Sequence, residues 1–175
     1  MMKSRILAAA ALVALLFASP AFVPSAYAHD GKVHAGDLDI TGFWARATIG
    51  NLKNTAAYLK VTNKGGEMDH LLSVSSPMAK MVHLHQTVME GDVAKMESVD
   101  SLAIPAGGSA EFKPGGYHVM VMGLSKSLKD GDTLPVVLKF EKAGTVKLDV
   151  PVIKGAGPAM GNMHMNHGAM DGMKK

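Results

Sequence analysis

Between Asp37 and Ile153 apolar and polar residues alternate in short runs, and Gly, Pro, Asn and Asp separate the runs. A period of two places every second side chain on one face, which is the pattern of a half-buried strand and not of a helix. It predicts strands over 38–47, 56–62, 70–75, 81–89, 93–99, 109–112, 117–122, 133–141 and 145–152. Turn-forming sequences punctuate them, among them Asn63-Lys64-Gly65-Gly66, Glu90-Gly91-Asp92, Lys113-Pro114-Gly115-Gly116 and Asp130-Gly131-Asp132. Many short strands at this spacing specify an all-β antiparallel sandwich or Greek-key barrel. Helix is limited to a turn or two near 51–57 and 124–128. The apolar positions nominate Trp44, Tyr58, Leu59, Val61, Val119, Val121, Val136, Leu138, Phe140 and Val150 for the inner faces of the sandwich.

The two ends of the chain read differently. Lys3 and Arg5 precede an apolar run over 6–18, Pro20 and Pro24 follow, and Ala26-Tyr27-Ala28 offers small residues for cleavage. The run is too short for a membrane span, so residues 1–28 are expected to be a signal peptide. Export to the periplasm as a soluble protein starting at His29 follows. Residues 29–37 then form an N-terminal segment and 38–153 the domain. From 154 to 175 aliphatic residues all but vanish in favour of Met, His and Gly, which predicts a flexible tail without a core.

Composition narrows the chemistry. The formal charge is +3, and loss of Lys3 and Arg5 leaves 16 basic against 15 acidic side chains, so no basic stripe for nucleic acid exists. Cys is absent, which excludes disulfides, thiolate nucleophiles, Cys-ligated zinc, iron–sulfur clusters and a blue-copper thiolate. Against this stand 14 Met and 8 His. A hairpin over 81–99 turning at Glu90-Gly91 places Met89 opposite Asp92, Thr87 opposite Ala94 and His85 opposite Met96, about 5 Å apart. His118 and Met120 lie at i and i+2 of one strand and share a face, with Val119 and Val121 on the other. Two imidazoles and two thioethers are neutral and soft, a donor set that suits Cu(I) better than Zn²⁺, Ca²⁺ or Mg²⁺. Without a thiolate, holding and handing over the ion fits better than electron transfer. Spacing alone leaves a soft-metal site and ordinary packing or surface roles equally open for these residues. Packing or surface is the reading for Met68, His70, Met78, Met89 and Met122, while His83 shares the face of Met81 and His85.

A resemblance adds to this. His85, ten residues, Met96, twenty-one residues and then His118-x-Met120 is similar to the copper-ligand pattern of the periplasmic copper chaperones called PCu(A)C. The likeness extends through Phe43-Trp44-Ala45-Arg46-Ala47, Ser75-Ser76-Pro77, Val82-His83-Leu84-His85, Ile104-Pro105-Ala106-Gly107-Gly108 and the stretch from Lys113 to Leu124. It implies a cupredoxin-like sandwich binding one Cu(I) through His85, Met96, His118 and Met120. It also implies delivery toward the CuA centre of cytochrome c oxidase, with a Sco-type protein and the CuA subunit as partners of a monomer. Gln86 and Thr87 follow His85 where some members carry a further Met, and His83 stands where an acidic residue is common. The first departure argues against a fifth ligand; the second leaves a variant site open.

Two other roles compete. Mature His29 would offer an amino nitrogen and an imidazole to Cu(II), as in copper monooxygenases, but such a brace needs a second His, and His34 is the near candidate in a segment that reads as flexible. In the other role the protein is a copper buffer or resistance protein whose tail binds metal through Met160, Met163, His164, Met165, His167, Met170 and Met173, with the two histidines also able to hold Cu(II). No arrangement of general base, nucleophile or cofactor loop suggests an enzyme.

Overall fold

The computed structural model describes the backbone of residues 28 and 29 and all of residues 31–155 and 157. The expected signal peptide, the His29 side chain and the tail ligands Met160, Met163, His164, Met165, His167, Met170 and Met173 lie outside the described residues. The fold is all-β, with no helix among the described residues. Its strands are β1 (Ala28–His29), β2 (Lys32–Ala35), β3 (Leu38–Arg46), β4 (Thr55–Asn63), β5 (Asp69–Ser75), β6 (Met81–Glu90), β7 (Val93–Val99), β8 (Leu102–Ile104), β9 (Ser109–Phe112), β10 (Tyr117–Met122), β11 (Thr133–Phe140) and β12 (Thr145–Ile153).

All the strands expected from alternation are present. Those not expected are β1, β2 and β8, each of four residues or fewer, too short for a period of two to register. The helical turns expected near 51–57 and 124–128 are absent. Leu124 and Leu128 have the i, i+4 spacing of a helix face, yet each drops into the core from an extended loop. That loop pairs with the chain before β4: the amide of Leu124 donates to the carbonyl of Lys53 at 2.8 Å, and that of Thr48 to the carbonyl of Leu128 at 2.9 Å. Long-range bonds have replaced the local ones a helix would make.

The strands form two layers. One runs β7-β6-β10-β9-β4-β3, with β10 also meeting β4 directly and β2 and β1 extending from β3; the other runs β12-β11-β5-β8. A short parallel contact between β3 and β12 joins them. The chain passes from layer to layer after β4, β5, β7, β8 and β10, the crossover pattern of a Greek-key sandwich. Between the layers Leu59, Val61, Val119 and Val121 meet Leu71, Val136, Leu138, Phe140 and Val150, none more than 3% exposed. Trp44 and Tyr58 are buried as expected but not in this interior cluster, because their neighbours Phe43, Ala45, Ala57 and Leu59 point inward. They pair on the outer face with ring centroids 4.5 Å apart. The backbone of Gly157 lies on the Trp44 indole, where any Cβ would overlap the ring.

Residues 32–35 of the segment before the domain form a strand rather than a loose arm. Strand β2 pairs with β3 and sinks Val33 into the core at 1% exposure. Buried Asp39 gathers Lys32 Nζ at 2.9 Å, Lys64 Nζ at 2.5 Å and His34 Nδ1 at 2.5 Å. Bonds from Lys64 and then Lys32 outweigh burial and hold its carboxyl at about 2.

Candidate metal centre

The centre is built on β10, where alternation gives the inner face to Val119 and Val121 and the outer face to His118, Met120 and Met122. Strand β6 runs antiparallel beside it, and the register pairs His118 with His85, Met120 with His83 and Met122 with Met81. Directly opposed residues have Cβ atoms about 5 Å apart on one face. The imidazoles of His85 and His118 therefore meet, edge to face, with centroids 5.7 Å apart.

A turn upstream sets the orientation of His118. In Lys113-Pro114-Gly115-Gly116 the amide of Gly116 donates to the carbonyl of Lys113 at 3.0 Å, and Gly115 has φ +81°, the left-handed value that a type II turn demands after Pro. The turn aims the Gly116 carbonyl back at β10 and β6. It accepts from the Thr87 amide at 3.1 Å and from His118 Nδ1 at 3.1 Å. With Nδ1 donating to that carbonyl, Nε2 is the His118 nitrogen left for a ligand. The turn expected at Lys113-Pro114-Gly115-Gly116 is present and has a positioning role that the turn signal alone does not show. A Gly two residues before a candidate ligand was the available signal.

His85 is left incomplete. Its Nδ1 is buried and has no hydrogen-bond partner. Burial first, then the neighbouring His118 and His83 rings, pushes its pKa below the usual imidazole value, so the ring is neutral at pH 7. An orphaned buried nitrogen costs about 1–3 kcal/mol, a penalty that a bound ion or proton donor would relieve.

The hairpin register departs from expectation. The loop is Gly91-Asp92, with Gly91 at φ +61° and Glu90 opposite Val93, so Thr87 faces Met96 and His85 faces Ser98. Moving the turn one residue shifts the pairing by two, which preserves the face of every side chain. Met96 stays on the face of His85 as a diagonal neighbour, about 7–8 Å away between backbones and not 5 Å. It lies on the outermost strand and is 67% exposed. Met120 is half-buried and His118 is 5% exposed.

All four expected ligands thus share one outer face. His83 joins them there, its ring stacked against His85 at a centroid distance of 6.2 Å. Among the described residues no three His, Cys, Asp or Glu side chains gather into a metal cluster, and the thioethers of Met96 and Met120 share the face of His85 and His118. Away from this face His34 is held by Asp39, and His70 Nδ1 bonds Glu141 at 2.6 Å. Met68 and Met89 are exposed and Met78 packs against the core, as expected.

Residues 38–152 match the LpqE-like family, described as "Putative lipoprotein LpqE-like". A Leifsonia xyli subsp. xyli (strain CTCB07) protein, "Putative lipoprotein Lxx21020", is 31% identical over 131 residues, 74% of this chain and 77% of its own length. Among solved structures, the copper-bound PCuAC domain from PmoF2 superposes with a TM-score of 0.62 at 27% identity, covering 71% of this chain and 98% of that domain. The CuI-DR1885 solution structure from Deinococcus radiodurans gives a TM-score of 0.55 at 34% identity, covering 66% of this chain and 78% of that one. The fold, the matched residues and these relatives agree: the chain belongs to the LpqE-like (PCuAC) family.

Proposed function

We propose that this protein is an exported copper chaperone that holds one Cu(I) between His85, Met96, His118 and Met120 and passes it to an acceptor. The observation that carries the reading is the buried, unpartnered Nδ1 of His85 beside a His118 ring whose own Nδ1 is anchored to Gly116. Two imidazoles held ready on a face with two thioethers are a donor set for a soft monovalent ion. Copper in the PmoF2 domain and Cu(I) in DR1885 support the same ion here.

Delivery rests on accessibility. Met96 projects from the outermost strand, so an acceptor's ligands can attack the ion from solvent and displace the thioether first. The acceptor in this proposal is the CuA centre of cytochrome c oxidase, reached with a Sco-type protein, and the compartment is the periplasm, in keeping with the lipoprotein description of the family. Competition for Cu(I) with a chromogenic chelator tests the reading, with one tight equivalent expected on the folded domain. X-ray absorption should find sulfur beside nitrogen around the ion, and a shell of nitrogen and oxygen alone would refute the site.

A further inference from the structure

The outer face of β6 and β10 carries more soft donors than the four-residue site uses. Its successive cross-strand pairs are His85 with His118, His83 with Met120 and Met81 with Met122. Packing does not account for the last of these. Met81 is 54% exposed and His83 is exposed, while Leu84, Val119 and Val121 on the same two strands fill the core. Strands favour β-branched and aromatic residues, and a methionine left mostly in water gains little from burial. Among the described residues the imidazoles with polar protein partners are those of His34, His70 and His118. His83 keeps both nitrogens for water or a ligand.

We infer that Met81, His83 and Met122 form a second, weaker site for a soft monovalent cation beside the first; only the identity of its natural ion rests on the copper reading. Met81 and Met122 are directly opposed, about 5 Å apart at Cβ, and His83 lies on the same face diagonal to Met122 at about 7–8 Å. Long thioether side chains close such gaps. The three donors are neutral, which disfavours hard divalent ions.

Two features make the site weaker than its neighbour. Exposed side chains must be ordered from free rotamers when they bind, whereas His118 is already fixed by Gly116. Lys80, next to Met81 in sequence, lays its stem over Gly123, within 3.0–3.1 Å of where a Cβ there would be, and a positively charged neighbour disfavours a bound cation. Because His83 stacks on His85, the two sites adjoin on one face, and an ion can pass from the first to the second along β6 and β10. The second site is thus a staging position on the transfer face.

Nuclear magnetic resonance of the full chain labelled at the methionine ε-methyl groups, titrated with Ag(I) as a redox-inert soft cation, tests this. The first equivalent is expected to shift Met96 and Met120, and later equivalents to shift Met81 and Met122 together on one isotherm. His83→Gln should weaken the later isotherm by about tenfold or more, since even supporting residues around a metal are worth about 10–100-fold in affinity, and by a larger factor than it weakens the first step. Met81→Leu should abolish the Met122 response. Met81 and Met122 methyls that stay unmoved at saturation, or that move only with the first equivalent and ignore His83→Gln, would overturn the second site. Shifts at Met81 and Met122 without shifts at Met96 and Met120 would instead refute the four-residue site and leave the second standing.

Discussion

Val121 and Met120 are neighbours in sequence with opposite duties, and truncating each separates fold from site. Val121 is fully buried on the inner face of β10, while Met120 is half-buried on the outer face. Val121→Ala removes two buried methyl groups, each worth about 0.8 kcal/mol of transfer free energy, and the cavity left behind brings the cost to about 2 kcal/mol. For a domain of this size about 1 kcal/mol moves the melting temperature by roughly 3–5 °C, so a fall of roughly 6–10 °C is expected. Met120→Ala gives up partly exposed surface and should cost less than about 1 kcal/mol. Its Cu(I) affinity should fall by about 10–100-fold or more, the range lost even when only a supporting residue is removed. Urea or thermal unfolding of the apo proteins, paired with chelator competition for Cu(I), reads both effects. A Val121→Ala protein as stable as wild type, or a Met120→Ala protein with intact copper affinity, would mean that β10 presents its faces the other way round, and the site would fail with it.

Register gives a second test. Met96→Leu should weaken Cu(I) about 10–100-fold, and adding Ser98→Met, which sets a thioether directly opposite His85, should recover part of the loss in the same competition assay. Gly115→Ala forces a side chain into φ +81°, at a cost of about 1–2 kcal/mol, and should lower Cu(I) affinity as well by displacing the Gly116 carbonyl that orients His118. The lowered pKa of His85 means that the unfolded chain takes up a proton that the folded one refuses. Stability from this group is therefore complete above about pH 6.5 and declines as pH falls toward the folded value, and unfolding titrations of wild type and His85→Phe should differ in that window. Asp39, at about 2 against 3.8 unfolded, contributes stability that is lost between those two values on acidification, and Asp39→Asn should remove that dependence. Deleting 158–175, which spares Gly157 over Trp44, is expected to reduce copper stoichiometry or slow loading without lowering the apo melting temperature.

Alternation in the sequence alone determined the all-β class, the strands it marked and the division of β10 into a core face of Val119 and Val121 and an outer face of His118 and Met120. These are local properties: in an extended chain successive side chains point to opposite sides whatever the strand pairs with. Tertiary structure decided what depends on neighbours distant in sequence. The pairing of β6 with β10 brought His85 to His118 across 32 intervening residues and left His85 Nδ1 without a partner. The conformation of one loop, Gly91-Asp92, set the Met96 register, and a pattern of period two leaves a two-residue slip undetected because every face is preserved. Leu124 and Leu128 carried helical spacing but became loop anchors because bonds to Lys53 and Thr48 were available. Trp44 and Tyr58 read as inner-face residues from the apolar pattern, yet they cover the outer face, since which side of a sheet is sealed depends on the segments that lie over it.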